Sequence, residues 1–559
     1  MQKARPYFIL IGIIVLAVFL RFWQLGKVPV SPDWDEAALG YNAYSILKTG
    51  RDEYGIFLPR ELRSYDDYKP PLYAYLTIPS IAAFGLNVWS VRLPSAVMGT
   101  LAVIGTYFLV LKLFEDEKEK EKSKILGIRV TSLALLTTFF LAISPWHLQF
   151  SRIAFEANSG LTLNILGIVA FLYGITSLPW MAVSAFLFGL SLYAYHSERV
   201  FVPLLLLSLV ILWRKELFRD WRKVLVAVVI GLMTVAPLLP VVTDKTAMTR
   251  LQGTSPLSDT TGLLMRTVKK IEEDQKSGNK FGVIFDNRRI VYVKTLIDGY
   301  ISHFSFNWLF LTGDNDRHHA PDNGILYLWE LPFVLWGILA VYRRGGRTSK
   351  LLFTWVLIAP IAASPTGGTP HAIRTLVFLP TFQIFSAFGL LLAVSRLRGL
   401  LSRGPTWKRV AFAAVGSGIV IFAMFDIVFY FHMYYHQMNR EYSQNWQYGY
   451  AQAVQYAEVH KGKYEKIVVS TALEQPHMFF LFYTKYDPAK YLAQGGTASG
   501  GFKEIRNHFD KYEFRPIGNW AKENHNGETL YIGTPKEIPT GAQYSIYYLD
   551  GQEAMRIAE

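Results

Sequence analysis

The chain contains no cysteine and comparatively few charged residues. The absence of cysteine excludes disulfide bonds and thiolate metal sites, even in parts that face an oxidising compartment. Only 18% of the 559 residues are charged, whereas 51% are hydrophobic. In soluble domains about a quarter of the residues are charged. The sequence also has neither a Gly-rich dinucleotide fingerprint nor a P-loop, which argues against a nucleotide as substrate.

The apolar residues are grouped in blocks of about twenty, the length that an α-helix needs to cross a bilayer. We therefore expect an α-helical polytopic membrane protein. The first block is long and no small-residue cleavage site follows it, so we expect a retained helix rather than a signal peptide. About eleven spans are predicted, at 7–25, 92–114, 129–144, 159–176, 179–195, 200–213, 223–242, 325–342, 351–364, 373–395 and 409–431.

The net charge of +14 is explained by membrane topology and does not require nucleic acid as a partner. The basic residues lie in short loops between apolar blocks, which is typical of cytoplasmic loops. The clusters are Lys3 and Arg5; Lys118, Lys120, Lys122, Lys124 and Arg129; Arg214, Lys215, Arg219, Arg222 and Lys223; Arg343, Arg344, Arg347 and Lys350; and Arg396, Arg398, Arg403, Lys408 and Arg409. Eleven crossings from a cytoplasmic N-terminus place all five clusters inside.

This topology assigns three segments to the extracytoplasmic side. The first outer loop, 26–91, should contain two juxtamembrane helices, near 36–48 and 72–86, because the second apolar stretch is too short to span. Residues 243–324 form a long outer loop. The division predicted is a transmembrane domain over 1–431 and a small extracytoplasmic α/β domain over 432–559.

An acidic cluster directly follows the first span. Asp33, Asp35 and Glu36 lie within four residues, and like charges this close repel one another unless a cation shares the site. The cluster fits a catalytic carboxylate, a site for a hard cation such as Mg²⁺, Mn²⁺ or Ca²⁺, or both. An N-cap for the following helix is the alternative, although capping needs only one carboxylate.

Cationic and histidine side chains recur on the predicted outer face. Lys69 and Arg92 lie where the chain meets the membrane surface, a position that suits either a lipid phosphate or a snorkelling side chain. A charge within lipid is costly, so repeated His and Arg residues at outer helix ends require an anionic partner, either one bound substrate or separate headgroups. Further members of this set are His147, Arg152, His196, Arg199, His318, His371 and Arg374.

The order of these motifs resembles that of the GT-C glycosyltransferases, the superfamily of protein O-mannosyltransferases and of the aminoarabinose transferases that modify lipid A. The resemblance covers about residues 7–395. The motifs are Asp35-Glu36, Lys69-Pro70-Pro71, Arg92-Leu93-Pro94-Ser95, Ser144-Pro145-Trp146-His147 with Arg152, Tyr195-His196-Ser197-Glu198-Arg199, Gly313-Asp314 with Arg317-His318 and Gly324, and Pro370-His371-Ala372-Ile373-Arg374.

The resemblance implies a GT-C fold and transfer of a sugar from a polyprenyl-phosphate donor to a protein, lipid or glycan acceptor, in a bacterial cytoplasmic membrane with the active site outside. Asp35 would be the catalytic base, supported by Glu36, and transfer would invert the sugar carbon. The donor phosphate would contact Lys69, Arg374, His371, Arg152 and Arg199. Substrate contacts would come from Asp33, Arg92, His147, Tyr195, His196 and His318. Metal dependence varies in this superfamily, and Asp33, Asp35 and Glu36 are the candidate ligands.

Two other functions fit parts of the pattern. An oligosaccharyltransferase or glycan ligase would transfer a whole glycan, but the Trp-Trp-Asp-Tyr-Gly signature of oligosaccharyltransferases is absent from the tail. A transporter or flippase for lipid-linked sugars would carry ionisable residues at mid-membrane. Here Asp426 is an exception among largely uncharged spans, and the polar motifs gather at one surface.

Overall fold

A computed structural model of the chain describes residues 5–65, 67–115, 124–125, 128–243, 261–403, 405–498 and 507–559. The basic residues Lys3, Lys118, Lys120 and Lys122 and part of the long outer loop, 244–260, lie outside these ranges. The described chain divides into two compact units. Unit 1 comprises 1–14, 102–147 and 160–427, and unit 2 comprises 15–101, 148–159 and 428–559.

The described part of the chain is mostly helical. The helices are α1 (Arg5–Phe22), α2 (Trp34–Thr49), α3 (Leu72–Phe84), α4 (Val88–Leu113), α5 (Val130–Ile143), α6 (Pro145–Phe150), α7 (Ala157–Gly174), α8 (Leu178–Ser191), α9 (Glu198–Leu212), α10 (Arg214–Arg219), α11 (Trp221–Val235), α12 (Leu239–Thr243), α13 (Thr261–Ser277), α14 (Lys280–Phe285), α15 (Arg288–Ser302), α16 (Leu331–Arg344), α17 (Gly346–Ile358), α18 (Thr381–Arg403), α19 (Thr406–His432), α20 (Met438–Glu441), α21 (Tyr450–His460), α22 (Pro476–Thr484) and α23 (Pro488–Ala493).

Among the described residues, five helices are long and apolar enough to cross a membrane: Val88–Leu113, Ala157–Gly174, Trp221–Val241, Leu376–Gly399 and Thr406–Glu441. Shorter apolar helices include Pro6–Phe22, Val130–Ile143 and Leu178–Ser191, at positions where spans are predicted. The chain is a multi-pass membrane protein, and the count of eleven spans stays a prediction.

Close helix packing in unit 1 depends on small residues. Helices α16 and α18 pack side by side, and a Cβ added at Gly337 would lie 1.9 Å from the Phe385 carbonyl oxygen. A Cβ at Gly389 would likewise meet the Phe333 carbonyl oxygen at 2.0 Å. In lipid, where helices gain little from hydrophobic association, such backbone approach is a main source of packing energy.

Unit 2 contains the mixed sheet of the C-terminal segment. The strands of the described chain are β1 (Leu62–Ser64), β2 (Asp67–Lys69), β3 (Lys124–Ile125), β4 (Ile128–Arg129), β5 (Lys466–Val469), β6 (His508–Phe509), β7 (Tyr512–Phe514), β8 (Thr529–Gly533), β9 (Tyr544–Tyr547) and β10 (Glu553–Ala558). Six of them form a sheet in the order β6-β7-β5-β8-β10-β9, in which β5 runs parallel to β7 and β8. This confirms a C-terminal region with both helices and a sheet.

The C-terminal segment and the first loop share one hydrophobic core. Helix α2 packs against α3 and also against α22 and α23, and a Cβ at Gly40 would lie 2.6 Å from Val91 Cγ2 and 2.8 Å from Phe482 Cε2. The predicted juxtamembrane helices correspond to α2 and α3. The predicted boundary at 431/432 stays a prediction, and the compact unit that holds the C-terminal segment also includes 15–101.

Candidate active site

Asp35 and Glu36 lie in the first turn of α2, and Asp33 is the N-cap residue of this helix. The Asp33 carboxylate accepts a hydrogen bond from the Glu36 amide (2.9 Å), and Glu36 Oε2 accepts one from the Asp33 amide (3.3 Å). This reciprocal capping box satisfies two amides that a helix start leaves unpaired. The capping alternative considered for this cluster therefore holds for Asp33.

Glu36 makes a fully buried ion pair with Arg92. Arg92 Nε donates to Oε1 (2.8 Å) and Nη2 to Oε2 (2.7 Å), and both side chains are 0% exposed. The Ala154 amide also donates to Glu36 Oε1 at 2.7 Å. The remaining guanidinium donors reach the carbonyls of Leu25, Pro29 and Ser31. Such bidentate geometry fixes both residues, so this pair positions the loop around α2.

Asp35 is paired with Lys69, which ends β2. Lys69 Nζ donates to Asp35 Oδ1. The lysine side chain is 9% exposed, whereas 32% of the Asp35 side chain is open. Burial works to lower the pKa of Lys69, but the neighbouring carboxylates, Asp35 foremost, together raise the pKa above its usual value. Glu156 lies near the same ammonium and acts in the same direction. Lys69 is therefore held as a cation beside an accessible carboxylate.

Arg152 is embedded within unit 2. Its Nη1 donates to the carbonyls of Leu20 (2.6 Å) and Arg21 (3.1 Å), and its Nη2 donates to that of Val28 (3.2 Å). Its Nε donates to the Tyr434 hydroxyl at 3.1 Å. Because these contacts use the guanidinium to join loops, a phosphate-binding role for Arg152 stays a prediction and gains no support from its contacts.

In unit 1, the two predicted site residues His318 and His371 come together with Asp314, which the sequence analysis named only as part of a motif. His318 Nδ1 lies 2.8 Å from Asp314 Oδ2, and the rings of His318 and His371 are 4.9 Å apart. Burial works to raise the pKa of Asp314, but His318, the Ala372 amide and His371 together hold the pKa well below its usual range. Burial, assisted by His318, lowers the pKa of His371.

Among the other predicted residues of unit 1, Arg374 lies close enough to His371 for its charge to act on that imidazole. Arg374 Nη1 donates to the Thr366 hydroxyl (2.5 Å) and the Gly367 carbonyl (2.8 Å). Arg199 Nη1 lies 3.3 Å from His196 Nδ1, and the Tyr195 ring is beside His196, with centroids 6.4 Å apart.

His147 is fully buried at 0% exposure, in the short helix α6. Phosphate and substrate contacts by His147, Tyr195, His196, Arg199 and Arg374 stay predictions.

Glu53 is a buried carboxylate that the sequence pattern did not indicate. Glu53 Oε1 accepts from Asn42 Nδ2 (2.9 Å) and Oε2 from the Thr497 hydroxyl (2.6 Å). Burial raises the pKa of Glu53 to about 7. The residue follows Arg51 and Asp52, so the local sequence is typical of an exposed polar turn, and its partner Thr497 is too distant in sequence to be inferred.

No protein-family model matches the chain, and neither does any curated protein. Solved structures do match. ArnT from Cupriavidus metallidurans, bound to undecaprenyl phosphate, has a TM-score of 0.53 at 14% identity over 98% of this chain and 97% of that one. The chain has the GT-C fold. The apo form of the same ArnT matches with a TM-score of 0.52.

A second GT-C protein agrees with this fold. The archaeal oligosaccharyltransferase AglB from Archaeoglobus fulgidus, in complex with an inhibitory peptide and a dolichol-phosphate, has a TM-score of 0.50 at 13% identity. The match covers 96% of this chain and 70% of AglB. At these identities the likeness establishes the architecture, and the resemblance found in the sequence motifs is confirmed at that level.

Proposed function

We propose that this GT-C protein is a glycosyltransferase that moves a sugar from a polyprenyl-phosphate donor to an acceptor on the extracytoplasmic side of a bacterial cytoplasmic membrane. The observation that carries the proposal is the Asp35–Lys69 pair, a base and a cation at one partly open position. The undecaprenyl phosphate bound to ArnT and the dolichol-phosphate bound to AglB support a lipid phosphate as the donor's carrier.

The pair has the chemistry that single displacement needs. Asp35 accepts the proton of the acceptor hydroxyl as the acceptor oxygen bonds to the anomeric carbon. The bond from that carbon to the phosphate oxygen breaks, and the lipid phosphate leaves with the electron pair. Attack opposite the leaving group inverts the sugar carbon. General-base assistance of this kind is typically worth about 10²–10⁴ in rate.

Lys69 has two successive partners in this mechanism. Without donor, its ammonium pairs with Asp35. An arriving phosphate competes for the ammonium, which then stabilises the charge that grows on the leaving group, more in the transition state than in the ground state. Release from Lys69 leaves the Asp35 carboxylate available as the base. Donor binding thereby frees Asp35 to accept the proton of the acceptor hydroxyl.

The testing experiment compares wild type and Asp35→Asn, purified as full-length chains in detergent, with synthetic polyprenyl-phosphate mannose and aminoarabinose donors. We expect wild type to consume donor and Asp35→Asn to lose about 10²–10⁴ of the rate, with folding unchanged. Asp550→Asn is the matched control, because Asp550 lies in an exposed turn and accepts a hydrogen bond from the nearby Gln552 amide.

Two results would contradict the proposal. An Asp35→Asn variant that retains the rate of the Asp550→Asn control would exclude Asp35 as the base. A product with retained configuration at the sugar carbon would exclude single displacement.

A further inference from the structure

We propose that Asp314, His318 and His371 form a Zn²⁺ site in unit 1. The inference is independent of the proposed sugar transfer, and it differs in position from the acidic cluster of α2. One ligand atom from each of the three residues lies within 4.8 Å of the other two. Asp314 and His318 lie in the segment between α15 and α16, and His371 lies between α17 and α18.

The hydrogen bonding of the cluster leaves two atoms unused. Asp314 Oδ2 accepts from the Ala372 amide at 2.8 Å and contacts His318 Nδ1. Asp314 Oδ1 and His371 Nδ1, by contrast, are buried without a hydrogen-bond partner among the described residues. Leaving a buried polar atom unpaired is unfavourable. A bound cation would satisfy both atoms at once.

The surrounding backbone holds the third ligand in place. His303 Nε2 accepts a hydrogen bond from the His371 amide (3.1 Å), and His303 Nδ1 lies 2.7 Å from the Gly299 carbonyl oxygen. A neutral imidazole can accept at one nitrogen while donating at the other. His303 therefore fixes the main chain at His371.

The ligand types select the metal. Two imidazoles and one carboxylate suit Zn²⁺, whereas Mg²⁺ and Ca²⁺ prefer oxygen ligands throughout. Zinc bonds of about 2.0–2.1 Å place tetrahedral ligand atoms roughly 3.3 Å apart. The three ligand atoms lie within 4.8 Å of one another, so metal binding requires side-chain rotations that bring them closer together. Three protein ligands leave a fourth position for water or another ligand, as in catalytic zinc sites.

The first test measures metal binding by the purified full-length chain in detergent, after chelator treatment and dialysis against Zn²⁺. We expect about one zinc per chain by elemental analysis. Asp314→Asn and His371→Gln should each weaken binding by at least 10–100-fold, the loss typical when even an outer partner of a metal ligand is removed. His460→Gln is the control, because His460 lies in α21 of unit 2 and its Nδ1 contacts the Tyr456 carbonyl.

A second readout uses only the wild-type protein, so that an unfolded variant cannot obscure the result. Co²⁺ bound in a tetrahedral His₂Asp site gives intense visible absorption, which Zn²⁺ should abolish by displacement. Wild-type protein that binds no zinc above the level of Asp314→Asn, or that shows octahedral Co²⁺ absorption, would overturn the proposal.

Discussion

Two neighbouring carboxylates on the first turn of α2 are paired with cations in opposite ways. Glu36 and Arg92 are both fully buried and joined by two hydrogen bonds. Asp35 and Lys69 make one contact, and a third of the Asp35 side chain is open. The two carboxylate–cation pairs therefore serve different purposes. A bidentate pair closed from solvent fixes a loop, whereas a single contact beside solvent can be exchanged for a substrate.

The largest change in stability is expected from breaking the buried Glu36–Arg92 pair. Glu36→Gln leaves the buried Arg92 without a counter-charge, and removing one partner of a buried pair typically costs about 3–5 kcal/mol. We expect a loss of this size in the free energy of unfolding, measured by denaturant titration in detergent.

The double variant Glu36→Leu with Arg92→Met should lose less than the sum of the two single variants, because no unpaired charge remains. Strict additivity would show that the two side chains act separately.

A buried carboxylate held by the uncharged side chains of Asn42 and Thr497 sharpens the comparison. Glu53, which contacts α2 through Asn42, has its pKa raised by burial from 4.5 to about 7. The folded state therefore binds a proton that the unfolded state has released between about pH 4.5 and 7. Stability should fall across this window by about 3 kcal/mol and stay level above it.

The measurement is the difference in unfolding free energy between wild type and Glu53→Gln at a series of pH values. Glutamine can donate to the Thr497 hydroxyl, so the variant should lack this pH dependence. A difference that is constant from pH 4 to 9 would contradict the raised pKa.

The smallest change in stability is expected from breaking the partly exposed Asp35–Lys69 pair. Asp35→Asn should alter the unfolding free energy by about 1 kcal/mol or less, since partly exposed ion pairs contribute little. Lys69 also retains the nearby Glu156. The same denaturant titration checks it. A loss as large as that of Glu36→Gln would make Asp35 a structural residue and remove the contrast between the pairs.

The helices that carry this site could be predicted from the sequence, whereas the contacts between its side chains could not. Apolar runs and helix length placed α2 and α3, and capping chemistry, considered as an alternative, describes Asp33. The structural role of Glu36 could not be predicted, because its partner Arg92 is 56 residues away and only the folded loop joins them. Arg152 looked like an anion-binding residue for the same reason, since its carbonyl acceptors come from the end of α1 and the loop after it.

The histidine cluster illustrates a second limit of the sequence. His318 and His371 were both singled out, but as separate contacts to substrate. Periodicity and motif order indicate which residues share a membrane face, and they carry no information on which side chains approach within bonding distance of a metal. The convergence with Asp314 depends on how the segment before α16 and the segment before α18 fold within unit 1.

The contact between α2 and α22 has a consequence for biosynthesis. The helix that carries Asp35 is synthesised long before Phe482, against which Gly40 packs. At ordinary elongation rates, on the order of tens of seconds separate the two. During that interval the nascent first loop exposes an apolar surface that Phe482 and its neighbours later cover. The candidate active site can therefore reach its final packing only after the segment that contains Phe482 has been synthesised.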